Sequence, residues 1–201
     1  MKHTIYLFLF ISTILIFSCT CSTCGKQSEL IEIPEKVKSG AAEFIISKTG
    51  KDFFDNYIFP DLLNTKKIND MYELHYVLRM IDYDFVNEPI LLYSDSLGNI
   101  QTNYEIKGIP NIKDNPDLGV FKVDENKAIE IAEENNLRKG IRDWEISFRW
   151  HSSYQRYVWH IISTEKEIGD LNSEMYKAEG DEIIINPFNG EILLQREWKI
   201  N

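Results

Sequence analysis

One short pattern occurs twice in this chain, and the duplication restricts its fold more than any other feature. Tyr72-x-Leu74-His75-x-Val77 matches Tyr157-x-Trp159-His160-x-Ile162. Ile90-Leu91-Leu92 with Gly98-Asn99-Ile100 matches Ile183-Ile184-Ile185 with Gly190-Glu191-Ile192. A helical pattern precedes each copy. In the first, Val37, Ala41, Phe44, Ile45 and Lys48 recur at helical spacing, and Gly50 stops the run. In the second, Asp124 caps a helix whose inner face is Ala128, Ile131, Ala132 and Asn135, ending near Gly140.

Strand patterns follow each helix. Residues 53–59 are rich in aromatics and read as a strand before Pro60, 72–78 alternate cleanly, and 89–93 form another strand that turns at 95–99. In the second copy Trp144, Ile146, Phe148 and Trp150 alternate with Glu145, Ser147 and Arg149, which describes a half-buried strand. A turn at 151–156 leads back through 157–162. A polar excursion then passes Gly169 and Gly180 before 182–185, and Asn189-Gly190 is a tight-turn signal ahead of a last strand at 191–198. The expectation is an α+β chain of two tandem helix-plus-antiparallel-sheet units, at 34–107 and 123–201, with no all-helical hairpin. Gly108-Ile109-Pro110 and Asn115-Pro116-Asp117 break the connector at 108–122.

Alternation places Tyr72, Leu74 and Tyr76 on one face and Glu73, His75 and Val77 on the other, and likewise sets Tyr157, Trp159 and Ile161 against Val158, His160 and Ile162. The aromatic faces are expected to meet the helices, leaving His75 and His160 on the outer faces. There they are either a pair that approaches to bind a metal or sense pH, or surface or interdomain histidines that persist from a duplication. No further ligand motif accompanies them, so no metal or other cofactor is assigned.

The N-terminus has its own logic. Met1-Lys2-His3, an apolar run from Ile5 to Phe17, and Ser18-Cys19 make a basic start, a short apolar core and a small residue at a cut site. The run is shorter than the roughly 20 apolar residues of a membrane span. Ile16-Phe17-Ser18-Cys19 resembles the lipobox of bacterial lipoproteins, with Phe17 bulkier than is usual there. The resemblance implies a signal peptide at 1–18, diacylglycerol on the Cys19 thiol, acylation of the new N-terminus (palmitate, for example), and a tether at 19–33. It places the chain in a bacterial cell envelope, held to a membrane and facing the periplasm or the surface. A secretion signal cut elsewhere and an uncleaved anchor are the alternatives. Cys21-Ser22-Thr23-Cys24 has C-x-x-C spacing without a preceding strand or a second ligand pair, and reads as part of the tether. No cysteine follows Cys24, so the fold rests on its core and not on disulfides.

Val123, the Ala128-Ile129-Glu130-Ile131-Ala132 helix, the Tyr157-Val158-Trp159-His160-Ile161 strand, and Ile184-Ile185-Asn186-Pro187-Phe188-Asn189-Gly190-Glu191-Ile192 form a combined pattern in the second copy. Through these residues the segment 123–198 resembles the PepSY family. Asn186 stands where that family usually has Asp, and the first copy matches more loosely. The resemblance implies PepSY- or cystatin-like units that bind or restrain peptidases, or sense envelope partners, without catalysis.

The residues point the same way. There is no Gly-x-Ser-x-Gly elbow, no His-Glu-x-x-His helix, no phosphate-cradling glycine loop and no cysteine in the folded part, so no enzyme is expected. A formal charge of −10 without a basic stripe excludes nucleic acid as a partner. Asp82-Tyr83-Asp84 and Asp114-Asn115-Pro116-Asp117 lack the spacing of a calcium loop and read as solvated turns. Trp150 and Tyr154, beside the hairpin, are the candidate partner-contact patch. The expected function is a non-catalytic binding or regulatory module. The alternative is a small-ligand carrier or sensor with a cavity between helix and sheet.

Overall fold

The computed structural model describes residues 31–169 and 175–200, so the apolar leader, Cys19, Cys21 and Cys24 lie outside the described residues. No described helix is long and apolar enough to cross a membrane.

The chain is α+β, with two antiparallel four-stranded sheets. Helix α1 (Glu35–Thr49) buries Val37, Ala41, Ile45 and Thr49, one side chain per turn along a single stripe. Gly50 ends it and donates its N–H to the Ile46 carbonyl. The strand expected at 53–59 is mostly a second helix, α2 (Lys51–Tyr57), and strand β1 covers only Ile58–Pro60. Spacing explains the difference. Phe53 and Tyr57 stack edge-on one turn apart at 5.1 Å, and Lys51 pairs with Asp55 at 2.6 Å, both i,i+4 relations that an extended chain cannot make. Two helices joined only by Gly50 therefore precede the first sheet.

In that sheet β3 (Met71–Met80) is central. It pairs with β4 (Tyr83–Asp95) on one side, and with β1 and the short β2 (Lys66–Ile68) on the other. Tyr72, Leu74, Tyr76, Leu78 and Met80 are buried, as the alternation requires.

The second half begins with α3 (Glu125–Glu134). The Asp124 carboxylate accepts the Lys127 N–H at 2.8 Å and caps the helix. The helix ends sooner than Gly140, because Asn136 adopts a left-handed backbone (φ 59°) and Leu137 donates back to the Ala132 carbonyl at 3.0 Å. Four strands then form a meander: β5 (Glu145–His151), β6 (Arg156–Ile168), β7 (Lys177–Ile185) and β8 (Ile192–Ile200). The expected polar excursion is largely made of the outer arms of β6 and β7. Gly180 keeps this pairing close, since a Cβ there would sit 1.9 Å from the Ser163 carbonyl oxygen. Asn189-Gly190 makes the foreseen turn, with Gly190 donating to the Asn186 carbonyl at 2.8 Å.

Ile31–Asn201 cluster as one compact unit whose core draws on both sheets. Phe85 of β4 lies 5.1 Å from Phe148, 5.0 Å from Trp159 and 6.0 Å from Phe121, centroid to centroid. The Trp159 indole donates to the Val123 carbonyl, and the Tyr157 hydroxyl to the Gly108 carbonyl, both at 2.8 Å. The segment linking the halves is thereby pinned to the second sheet.

Candidate functional site

Register carries polar side chains of all four strands of the second sheet onto one face. Ser147 opposes His160, Arg149 opposes Val158, and Glu182 opposes both Ile162 and Arg196. By alternation the face away from Trp159 displays Arg149 from β5, His160 from β6, Glu182 from β7 and Arg196 from β8. These four form a continuous chain of hydrogen bonds. An Arg149 terminal nitrogen meets His160 Nδ1, His160 Nε2 lies 2.7 Å from Glu182 Oε2, and Arg196 Nε lies 2.5 Å from Glu182 Oε1.

The partners settle the state of the imidazole. A guanidinium only donates, so Nδ1 must accept; a carboxylate only accepts, so Nε2 must carry the hydrogen. His160 is therefore the neutral Nε2–H tautomer. Burial depresses its pKa below the usual histidine value and the Arg149 charge adds to this, while Glu182 opposes both. Burial alone would raise Glu182, but the hydrogen bonds from Arg196 and His160 outweigh it and hold the carboxyl below its ordinary value.

Register sets His160 on the outer face of its sheet, as alternation requires, and there it is shielded from water. His160 is 5% exposed, and Val158 beside it is fully buried. Tyr154 packs on His151 at 4.7 Å between ring centroids. From the β5–β6 hairpin its hydroxyl donates to the Leu193 carbonyl of β8 at 3.1 Å, so the ring is half-buried and engaged within the chain. Trp150 is also half-buried and stands edge-on to Tyr157 at 5.2 Å. Neither candidate contact residue is a freely displayed side chain.

His75 has a matching glutamate placed differently. Its Nε2 lies 2.8 Å from Glu73 Oε1, two residues back on the same strand, and Tyr93 donates to Glu73 Oε2 at 3.2 Å. The His75 and Tyr93 hydrogen bonds hold Glu73 below the ordinary glutamate value against a smaller opposing effect of burial. Each histidine thus has a carboxylate within its own sheet. Among the described residues no group of three or more His, Cys, Asp or Glu is placed to hold a metal.

Glu88 escaped the reading of the sequence. It lies on β4 where that strand meets β5, accepts the Trp150 backbone N–H, and is pushed by burial up to about 7. Both carboxylates stand immediately before the apolar run of their strand, Glu88 ahead of Pro89-Ile90-Leu91-Leu92 and Glu182 ahead of Ile183-Ile184-Ile185, and that position is the available signal.

Two surface features complete the site. Among the described strands β8 (nine residues) pairs only with β7, so no described strand covers its outer edge, and the Tyr154 hydroxyl engages the strand at Leu193. The outer edge of β4 is instead bridged by Ile100 and Lys107. Beside α3 a groove of about 430 Å³ is lined by Ile129, Ile141, Trp144 and Ile146, with Lys139 and Arg142 among its polar residues. No family model and no curated protein sequence matches the chain.

Proposed function

We propose that this chain is a lipid-anchored envelope protein with PepSY-like units, and that it binds an extended segment of another protein, such as a peptidase, without catalysis. The observation that carries the reading is the open edge of β8. An edge strand presents unpaired N–H and C=O groups in register, and an added strand satisfies them. Ser18-Cys19 after the apolar run supports the lipid anchor. The Asp124-capped helix, Trp159 on an inner strand and the Asn186–Ile192 turn support the PepSY likeness. The space between α3 and its sheet is filled by Ala128, Ile131, Ala132, Trp159 and Ile183, all nearly or fully buried, which favours surface recognition over an internal cavity.

The test is capture with the full-length chain from envelope extract, followed by hydrogen exchange on the purified complex. Protection concentrated in residues 192–200 supports the reading. A stable complex that leaves those amides unprotected overturns it. The groove at Ile129 and Trp144 favours a second reading, a small-ligand carrier, since its volume falls in the range of ligand pockets. Mass spectrometry of a co-purifying small molecule tests that reading.

A further inference from the structure

The two faces of β8 are not equivalent, and the difference points to the chemistry of the strand it would accept. On one face Gln195, Glu197 and Lys199 are already engaged within the chain. Gln195 donates to the Asn135 carbonyl at 3.0 Å, Glu197 pairs with Arg138 at 3.2 Å, and Lys199 with Glu179 at 3.1 Å. The other face carries Leu194, Arg196, Trp198 and Ile200, all at least partly exposed, with the Trp198 indole held in place by donating its N–H to the Ser163 and Asp181 carbonyls at 3.1 Å.

Arg196 is the unusual member of that face. Its Nε is fixed by Glu182, itself 10% exposed at the side chain and bonded to His160, while the Arg196 side chain is 64% exposed. The two terminal nitrogens have no partner among the described residues. The buried His160–Glu182 pair thus holds a guanidinium at the open edge with its outer donors free, which suits a carboxylate on a neighbouring strand. Leu194 and Trp198 flank it two residues away on either side and suit apolar side chains.

We propose that β8 selects an extended peptide with an acidic residue opposite Arg196 and apolar residues two positions to each side. The proposal rests on the edge-binding reading above and names its ligand class. Cross-strand pairing of opposite charges is favourable and of like charges unfavourable, so the central residue of the peptide decides affinity.

The experiment compares two labelled nine-residue peptides with Val at the odd positions and Thr at the even ones, except for Glu or Lys at the fifth. Each is titrated by fluorescence anisotropy against the full-length chain in detergent, and hydrogen exchange reports which amides become protected. The Glu peptide is expected to bind about tenfold more tightly than the Lys peptide. That preference should collapse in Arg196→Ala, while protection of 192–200 persists. Equal affinity of the two peptides, with β8 protected by both, overturns the acidic preference and leaves edge binding standing. Failure of both peptides to protect β8 overturns the edge reading and the proposal with it. The comparison on the unaltered protein needs no variant to fold.

Discussion

A Cβ on Gly40 would lie 2.1 Å from the carbonyl oxygen of Gly98, so α1 and the turn after β4 touch backbone to backbone. Gly98 is held as tightly from its own side, where a Cβ would meet the Lys36 carbonyl oxygen at 2.2 Å in a left-handed backbone (φ 93°). Neither neighbour is a flexible side chain that can swing away. Gly40→Ala is expected to destabilise the fold by about 1–3 kcal/mol, the usual cost of overpacking. Urea unfolding checks this, and an unchanged midpoint would contradict the contact.

The His160 network makes a second prediction. His160→Leu removes the acceptor of Arg149 and one donor to buried Glu182, at an expected cost of about 1–3 kcal/mol. In the unaltered protein, nitrogen-15 NMR should report the neutral Nε2–H tautomer at pH 7. Because the folded imidazole resists protonation more than the unfolded one, its contribution to stability is full above the ordinary pKa of 6.5 and declines as pH falls below it.

Glu88 acts in the opposite sense. Its folded pKa, about 7, lies above the ordinary 4.5, so the folded state holds the proton more tightly across that interval. Stability from this group is full below 4.5 and is lost as pH rises through 7. Glu88→Gln should therefore melt at a higher temperature than the unaltered chain at pH 8, with the advantage gone near pH 4. Calorimetry at the two pH values decides it. A constant difference would mean that Glu88 does not titrate in this interval.

Helix α3 depends on the residue that caps it. Asp124→Ala loses the 2.8 Å bond to the Lys127 N–H and should cost about 0.5–2 kcal/mol in chemical denaturation, with Asp124→Ser restoring most of it.

The anchor is tested apart from the fold. Cys19→Ala should abolish incorporation of labelled palmitate and release the chain from the membrane fraction while leaving its circular dichroism unchanged. Retained label would remove Cys19 as the acceptor.

Local signals were the legible part of this fold. Alternation in 72–78 and 157–162 identified the inner faces, Asp124 marked a helix start, and Asn189-Gly190 marked a turn, because each depends on nearest neighbours along the chain. The aromatic content of Lys51–Tyr57 suggests a strand, but the i,i+4 pairs Phe53–Tyr57 and Lys51–Asp55 make it a helix. The candidate site was less legible still. The sequence alignment made His75 and His160 equivalent, yet Glu73 comes from the same strand as its histidine and Glu182 from the next one. Only strand register brings Arg149, Glu182 and Arg196 to His160, and a single sequence does not disclose register. Burial of His160 is equally hidden, since its partners Arg149 and Glu182 come from the neighbouring strands.

The aromatic contacts of Phe85 with Phe148, Trp159 and Phe121 have a consequence for how the molecule comes apart. A duplicated sequence invites the picture of two modules that fail one at a time. Here the rings of one half are solvent for the rings of the other, so neither sheet is able to open without wetting both. Heating should produce a single cooperative transition, and a lesion beside α1 should be felt at β8.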